Sequence, residues 1–250
     1  MIPFTSKSYS PLIRLFLFLF LIGFFTIESF YSQENEFQTW TELGVKGKLN
    51  KKLEYGMDIT NRYGNNGLET FFPQGSLKYK LTDWFKPSID YRLIGKKEPN
   101  SNYLYSNRLN FNFQFTKQLN RINLGFRIRY QYSFAQLNDN YQPEFDQAFR
   151  LKPSVSYDIN NSLFTPTFSI EYFYNPNNGE FGKRYTKLRA FVGAELELSG
   201  PHQFEFGYIY DQSMNLPDPT QRHILNLSYC FKIESPKNKK SKVRKGIRWL

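Results

Sequence analysis

Hydrophobic and polar positions alternate along most of this chain. In RINLGFRIRYQYSF, residues 121–134, one set is Ile122, Leu124, Phe126, Ile128, Tyr130, Tyr132 and Phe134. The interleaved set is Arg121, Asn123, Gly125, Arg127, Arg129, Gln131 and Ser133. Successive side chains of a β-strand point to opposite faces, so the segment predicts a strand with one apolar face and one charged face. The pattern recurs as Leu53, Tyr55, Met57, Ile59 and Tyr63 against Glu54, Asp58, Thr60 and Arg62, and as Phe85, Ile89, Tyr91 and Leu93 against Lys86, Ser88, Asp90 and Arg92. Leu109, Phe111, Phe113 and Phe115 then alternate with Arg108, Asn110, Asn112 and Gln114. Further apolar sets begin at Phe145, Phe164, Leu188, Phe204 and Leu225. With residues 38–49 as the first strand, eleven strands are predicted and no helix of useful length follows residue 32. An apolar face can look into a core or out into lipid, and period-2 patterning does not distinguish the two.

The connections supply that distinction. Short polar turns are predicted at residues 50–52, 82–83, 117–120, 158–162 and 199–201. Between them lie longer segments rich in Gly, Asn and Pro: GNNG from Gly64, GKKEPNSN from Gly95, QLNDNYQP from Gln136, NPNNGEFG from Asn175 and QSMNLPDPTQ from Gln212. Short turns at one end and longer loops at the other are the layout of an outer-membrane barrel. The apolar set also places aromatics near both strand ends, Tyr63, Tyr103, Tyr105, Tyr132 and Tyr210 by the loops and Phe85, Phe115, Tyr157, Phe164, Phe204 and Phe231 by the turns. Such belts match interfacial girdles. The expectation is a transmembrane, antiparallel, up-and-down all-β barrel with the apolar face outward. A soluble lipocalin-like barrel with the apolar set inside is the rival, and it needs eight strands. Bacterial single-chain barrels have even strand numbers, so eleven strands give an expectation of ten to twelve, with the first strand the exception.

The N-terminus changes the domain picture. Lys7 and Arg14 precede LFLFLFLIGFF, residues 15–25, an apolar run of signal-peptide length. Cleavage is expected after Ser32, with an uncleaved anchor as the alternative. The organisation is then a signal peptide over residues 1–32, a barrel over 33–231 and a basic tail over 232–250. Of the formal charge of +11, the leader carries +1, the tail +7 and everything between only +3. The basicity therefore belongs mainly to a tail of solvated, disordered type, able to meet anionic lipid, and nucleic acid is not an expected partner. The lone Cys230 excludes an intramolecular disulfide framework.

Two longer stretches carry a family resemblance: QTWTELGVKGKLNKKLEYGMDITNRYG from Gln38, and NRLNFNFQFTKQLNRINLGFRIRYQYSF from Asn107. Over residues 38–231 the chain resembles the small outer-membrane β-barrels of unknown function found in Gram-negative bacteria, particularly the Bacteroidetes group. The last strand, HILNLSYCF, resembles the C-terminal signal of barrel-assembly machinery, closing on the aromatic Phe231. The resemblance implies a fold, a location in the cell outer membrane, and two partners, outer-membrane lipid and the assembly machinery. It implies no catalytic residue and no cofactor.

Candidate chemistry concentrates on the polar face. Arg62, Arg92, Arg108, Arg127, Arg129, Arg150 and Arg189 share it with Asp90, Asp146, Glu195, Glu197 and Glu205, and with Asp58, Glu171, Asp211 and Lys152. Acids and bases on neighbouring strands can pair across the lumen wall. One reading is a structural or interaction barrel, without enzymatic activity, whose lumen is filled by salt bridges. A second is a small-solute channel in which Arg108, Arg127, Arg129 and Arg150 prefer anions, as charged rings do. A third is a lipid-modifying hydrolase, for which Ser213 and His223 are the available nucleophile and base. His202 reads as a turn residue, no His, Cys and carboxylate cluster has metal-site spacing, and Asp139, Glu144 and Asp218 are loop acids that could hold calcium only weakly.

Overall fold

A computed structural model describes residues 34–98, 102–134, 147–176, 183–198, 200–215 and 219–233. The predicted signal peptide, the tail beyond residue 233 and the loop acids Asp139, Glu144 and Asp218 lie outside the described residues. Eleven strands form one closed barrel: β1 (Glu34–Lys48), β2 (Leu53–Gly64), β3 (Gly67–Tyr79), β4 (Phe85–Lys97), β5 (Tyr103–Leu119), β6 (Ile122–Phe134), β7 (Gln147–Tyr157), β8 (Phe164–Asn175), β9 (Arg184–Glu197), β10 (His202–Ser213) and β11 (Thr220–Ile233). Neighbours in sequence pair antiparallel. The seam is the exception, since β1 and β11 pair in parallel from Glu34↔Thr220 to Gly47↔Ile233. In an up-and-down series of eleven, the first and last strands point the same way, so closure requires one parallel pair. An odd count is thereby accommodated without removing β1, and the barrel has no free edge.

The alternation orients as follows. On β6, Arg129, Gln131 and Ser133 are buried in the interior, whereas Leu124, Phe126 and Tyr132 are exposed on the outside. Around the wall, Leu43, Met57, Ile89, Phe111, Phe168 and Val192 are likewise exposed, and Asp90, Asn110, Arg150 and Glu171 are buried. A lipocalin-like interior would reverse this arrangement, so the apolar set does not line the inside of this barrel. Aromatic contacts form along the outward surface at the turn end, where Phe85 stacks on Phe115 at 5.0 Å and Phe204 lies 4.8 Å from Tyr229.

Two connections differ from expectation. GNNG is not a long loop: β2 runs to Gly64 and only Asn65 and Asn66 separate it from β3. Gly67 adopts φ 79°, a left-handed conformation that a side chain would strain and that lets the strands reconnect at once. The turn assigned to residues 117–120 narrows to Asn120 and Arg121, with Asn120 at φ 53°, because β5 continues through Lys117 to Leu119. Prolines interrupt ladders without shifting them. Pro73 coincides with a gap between Phe71↔Gly95 and Gln74↔Arg92, and the register resumes unchanged.

The interior is not wholly polar. Trp40, Phe72, Phe173 and Phe191 point inward with Ile94, Ile209 and Ile224, and Trp40, Phe191, Ile209 and Ile224 form one buried cluster. The ring of Phe191 lies over Gly193 and Gly207, which face each other on β9 and β10. A Cβ on Gly207 would meet both that ring and the Val192 carbonyl oxygen. Gly207→Ala is therefore expected to destabilise the barrel by about 1 to 3 kcal/mol through overpacking. The measurement is urea unfolding in micelles, and a variant matching the parent would refute this cradle.

Candidate functional site in the lumen

Three carboxylates on the inner wall, Glu171, Asp90 and Asp211, hold basic side chains from the same or nearby strands. Glu171 on β8 accepts from Arg150 on β7, with Nε to Oε1 at 3.1 Å and a terminal nitrogen to Oε2 at 2.7 Å. It also accepts from Arg127 on β6, two strands away, at 2.7 Å. Asp90 on β4 accepts from Arg129 on β6 at 3.2 Å, and Asn112 on the intervening β5 donates to the same Oδ2 at 2.8 Å. Asn112 in turn accepts from Arg129 Nε, so it closes a three-strand knot. Asp211 on β10 accepts from both Arg189 Nε, at 2.7 Å, and a terminal Arg189 nitrogen, and Lys187 approaches it at 3.6 Å. Register explains the grouping. Arg129↔Arg150 and Arg127↔Lys152 stand directly opposite on β6 and β7, a repulsive arrangement that the flanking carboxylates offset.

A second group crosses the barrel as alternating cations and rings. The Arg62 guanidinium sits 3.9 Å from the Trp40 ring centroid and 4.9 Å from that of Phe72. Arg92 lies 4.0 Å from Phe72, Arg189 4.8 Å from Trp40, and Arg150 4.3 Å from Phe173. Arginine over an aromatic face in a desolvated site is worth about 0.5 to 2 kcal/mol per contact, so this belt helps fix the interior. Arg92 donates to Gln74 Oε1 at 2.6 and 3.0 Å, and Gln74 donates to Asp58 at 3.2 Å. Arg108 donates to Ser133 at 3.2 Å. Arg62 Nε is buried without a hydrogen-bond partner. Among the described residues neither Arg62 nor Arg92 has a carboxylate within 4.0 Å.

This belt divides the lumen. A chamber of about 600 Å³ lies toward the turns, with Lys46, Lys152 and Glu205 in its wall. Another of about 780 Å³ lies toward the loops, with Glu36, Glu69 and Arg222 in its wall. Trp40, Arg62, Phe72, Arg92, Arg108, Lys187 and Arg189 line both and stand between them. Eleven Lys and Arg against five Asp and Glu line the turn-side chamber, so its wall carries a positive excess. The loop-side chamber has eight against four.

The predicted lumen residues thus divide into groups. Arg127, Arg129, Arg150 and Arg189 are tied to Glu171, Asp90 and Asp211. Arg62, Arg92 and Arg108 belong to the partition. Glu205 lines the turn-side chamber and stands opposite Glu195 on the next strand. Asp146 and the side chain of Glu197 lie outside the described residues. The Ser213 and His223 pairing does not form. Ser213 is buried on the inner side, 3.1 Å from Thr220 Oγ1, while His223 stacks on the exposed Phe37 at 5.1 Å on the outer side. His202 lies 2.8 Å from the Tyr229 hydroxyl at the start of β10. A sorting of residues into apolar and polar sets does not reveal the inward rings. Their signal is a ring in the polar phase, as Phe72 beside Phe71 and Phe173 between Tyr172 and Tyr174.

A family model described as "Protein of unknown function (DUF2490)" matches residues 37–222, a span from β1 into β11. No curated protein matches the chain.

Proposed function

The chain belongs to the DUF2490 family of proteins of unknown function, and from that premise we propose that it is an integral barrel of the bacterial outer membrane, non-catalytic, with a partitioned, salt-bridged lumen. One observation carries the reading: the outward face of the closed wall is apolar around the barrel while the charges face inward. A surface of that extent is poorly matched to water and well matched to hydrocarbon. Closure supports it too, since lipid cannot satisfy an open strand edge. The turns would face the periplasm and the loops the exterior. The expected result is fractionation with outer membranes and faster gel migration before boiling than after, because a closed barrel resists detergent. Recovery as a soluble periplasmic protein would overturn the proposal.

The basic excess in both chambers favours a second reading, passage of small anions. Planar-bilayer conductance separates the two. A partition that stays closed gives no steady current, whereas an anion path gives a current that prefers chloride over potassium.

A further inference from the structure

We propose that Arg62 and Arg92 form a binding site for a phosphate or carboxylate group on a small solute entering from the loop-side chamber. The inference goes beyond the outer-membrane reading and does not depend on it. Four other lumen arginines are neutralised by protein carboxylates: Arg127 and Arg150 by Glu171, Arg129 by Asp90, Arg189 by Asp211. Arg62 and Arg92 depart from that rule, and they flank the same Phe72 ring. Gln74 occupies two Arg92 nitrogens, and the rings of Trp40 and Phe72 cover Arg62 without accepting a strong hydrogen bond. Arg92 also stands directly opposite Arg108 across β4 and β5, which raises the local positive potential whatever Arg108 itself contacts.

Charge left unneutralised in a confined, partly desolvated space attracts a counter-ion. A guanidinium offers forked donors that match the spacing of phosphate or carboxylate oxygens. The chamber of about 780 Å³ in front of these residues is within the range of small-molecule sites, about 300 to 1,000 Å³. Ile94, Trp40 and Phe72 give part of its wall an apolar character suited to the body of an organic anion. The continuous strand pairing around the barrel closes the sides to lipid, so the group comes from a free solute through the mouth and not from a headgroup.

The test titrates inorganic phosphate into full-length protein held in uncharged, lipid-free detergent micelles, with chloride keeping the ionic strength constant. Trp40 emission is followed in a Trp84→Phe, Trp249→Phe background. A saturable change is expected, and Arg62→Gln and Arg92→Gln should each weaken it about tenfold, the scale of one lost charge-assisted bond. Lys46→Gln removes the same charge from the turn-side chamber and should alter affinity less than about twofold, since no direct bond is lost. If an arginine variant does not fold, arginine modification by phenylglyoxal keeps the proposal testable on the parent. Phosphate should slow modification of Arg62 and Arg92 several-fold and leave the exposed Arg121 unaffected. The proposal is overturned by an absent or non-saturable response, by equal weakening in all three variants, by unchanged arginine modification, or by binding that appears only when anionic lipid vesicles are added.

Discussion

Replacing Glu171 with Gln is expected to destabilise the barrel by about 3 to 5 kcal/mol, the scale for removing one partner of a buried ion pair. Glu171 is 4% exposed and its two oxygens hold Arg127 and Arg150, so a single substitution strips the carboxylate from two guanidiniums. Both then face basic neighbours directly across β6 and β7, Lys152 and Arg129. Gln keeps the volume and one acceptor, so the loss reports charge and not a cavity. Guanidinium-chloride unfolding in micelles, followed by tryptophan emission, measures it. A companion Arg150→Met should recover part of the loss, because Met can rest on the Phe173 ring where Arg150 now lies and one of the stranded charges is gone. Equal stability of the parent and Glu171→Gln would mean that water solvates this knot.

The outward half of the fold is legible in the sequence because outward and inward positions alternate, as in β6, where one set is wholly apolar. Ten of the eleven strands follow from that alternation and from the turns. Closure does not. The β1–β11 pairing joins residues almost two hundred positions apart, as with Glu34 and Thr220, and no local pattern encodes it. β3 is hard to see for another reason: Phe71 and Phe72 adjoin, and Pro73 and Gly75 break the run. The charged face is legible as a set of residues and not as a set of partners. Arg108, Arg127, Arg129 and Arg150 read equally as a ladder for anions or as a salt-bridged plug. Partner choice depends on which acids stand one or two strands away, and three of these four turn out to be held by Glu171 and Asp90. Arg62 and Arg92, which among the described residues have no carboxylate within 4.0 Å, are marked instead by the inward rings of Trp40 and Phe72.

Arginine at Ile128 is expected to cost about 2 to 4 kcal/mol in a lipid bilayer, the scale for a basic residue on the lipid face at the midplane of a barrel. Ile128 points outward on β6 between Phe113 of β5 and Leu151 of β7, midway between the Asn120 turn and the loop end of the strand. Its neighbours in sequence, Arg127 and Arg129, point inward, so the outward and lumen environments alternate within one residue. Single cysteines test the same assignment without adding charge. Cys230 faces the interior and is buried, so it is first replaced by Ser to remove the competing thiol. Cys at Phe126 or Ile128 should then react with a lipid-soluble thiol reagent and resist a charged one. The inward reporter belongs at Ser154, which lines the turn-side chamber, because Cys at Arg127 or Arg129 would also break the contacts to Glu171 and Asp90. Ser154→Cys should ignore the lipid reagent and react with the charged one as far as water fills that chamber. Lipid labelling at position 154 with none at 126 and 128 would reverse the two faces and remove the physical basis for a membrane location.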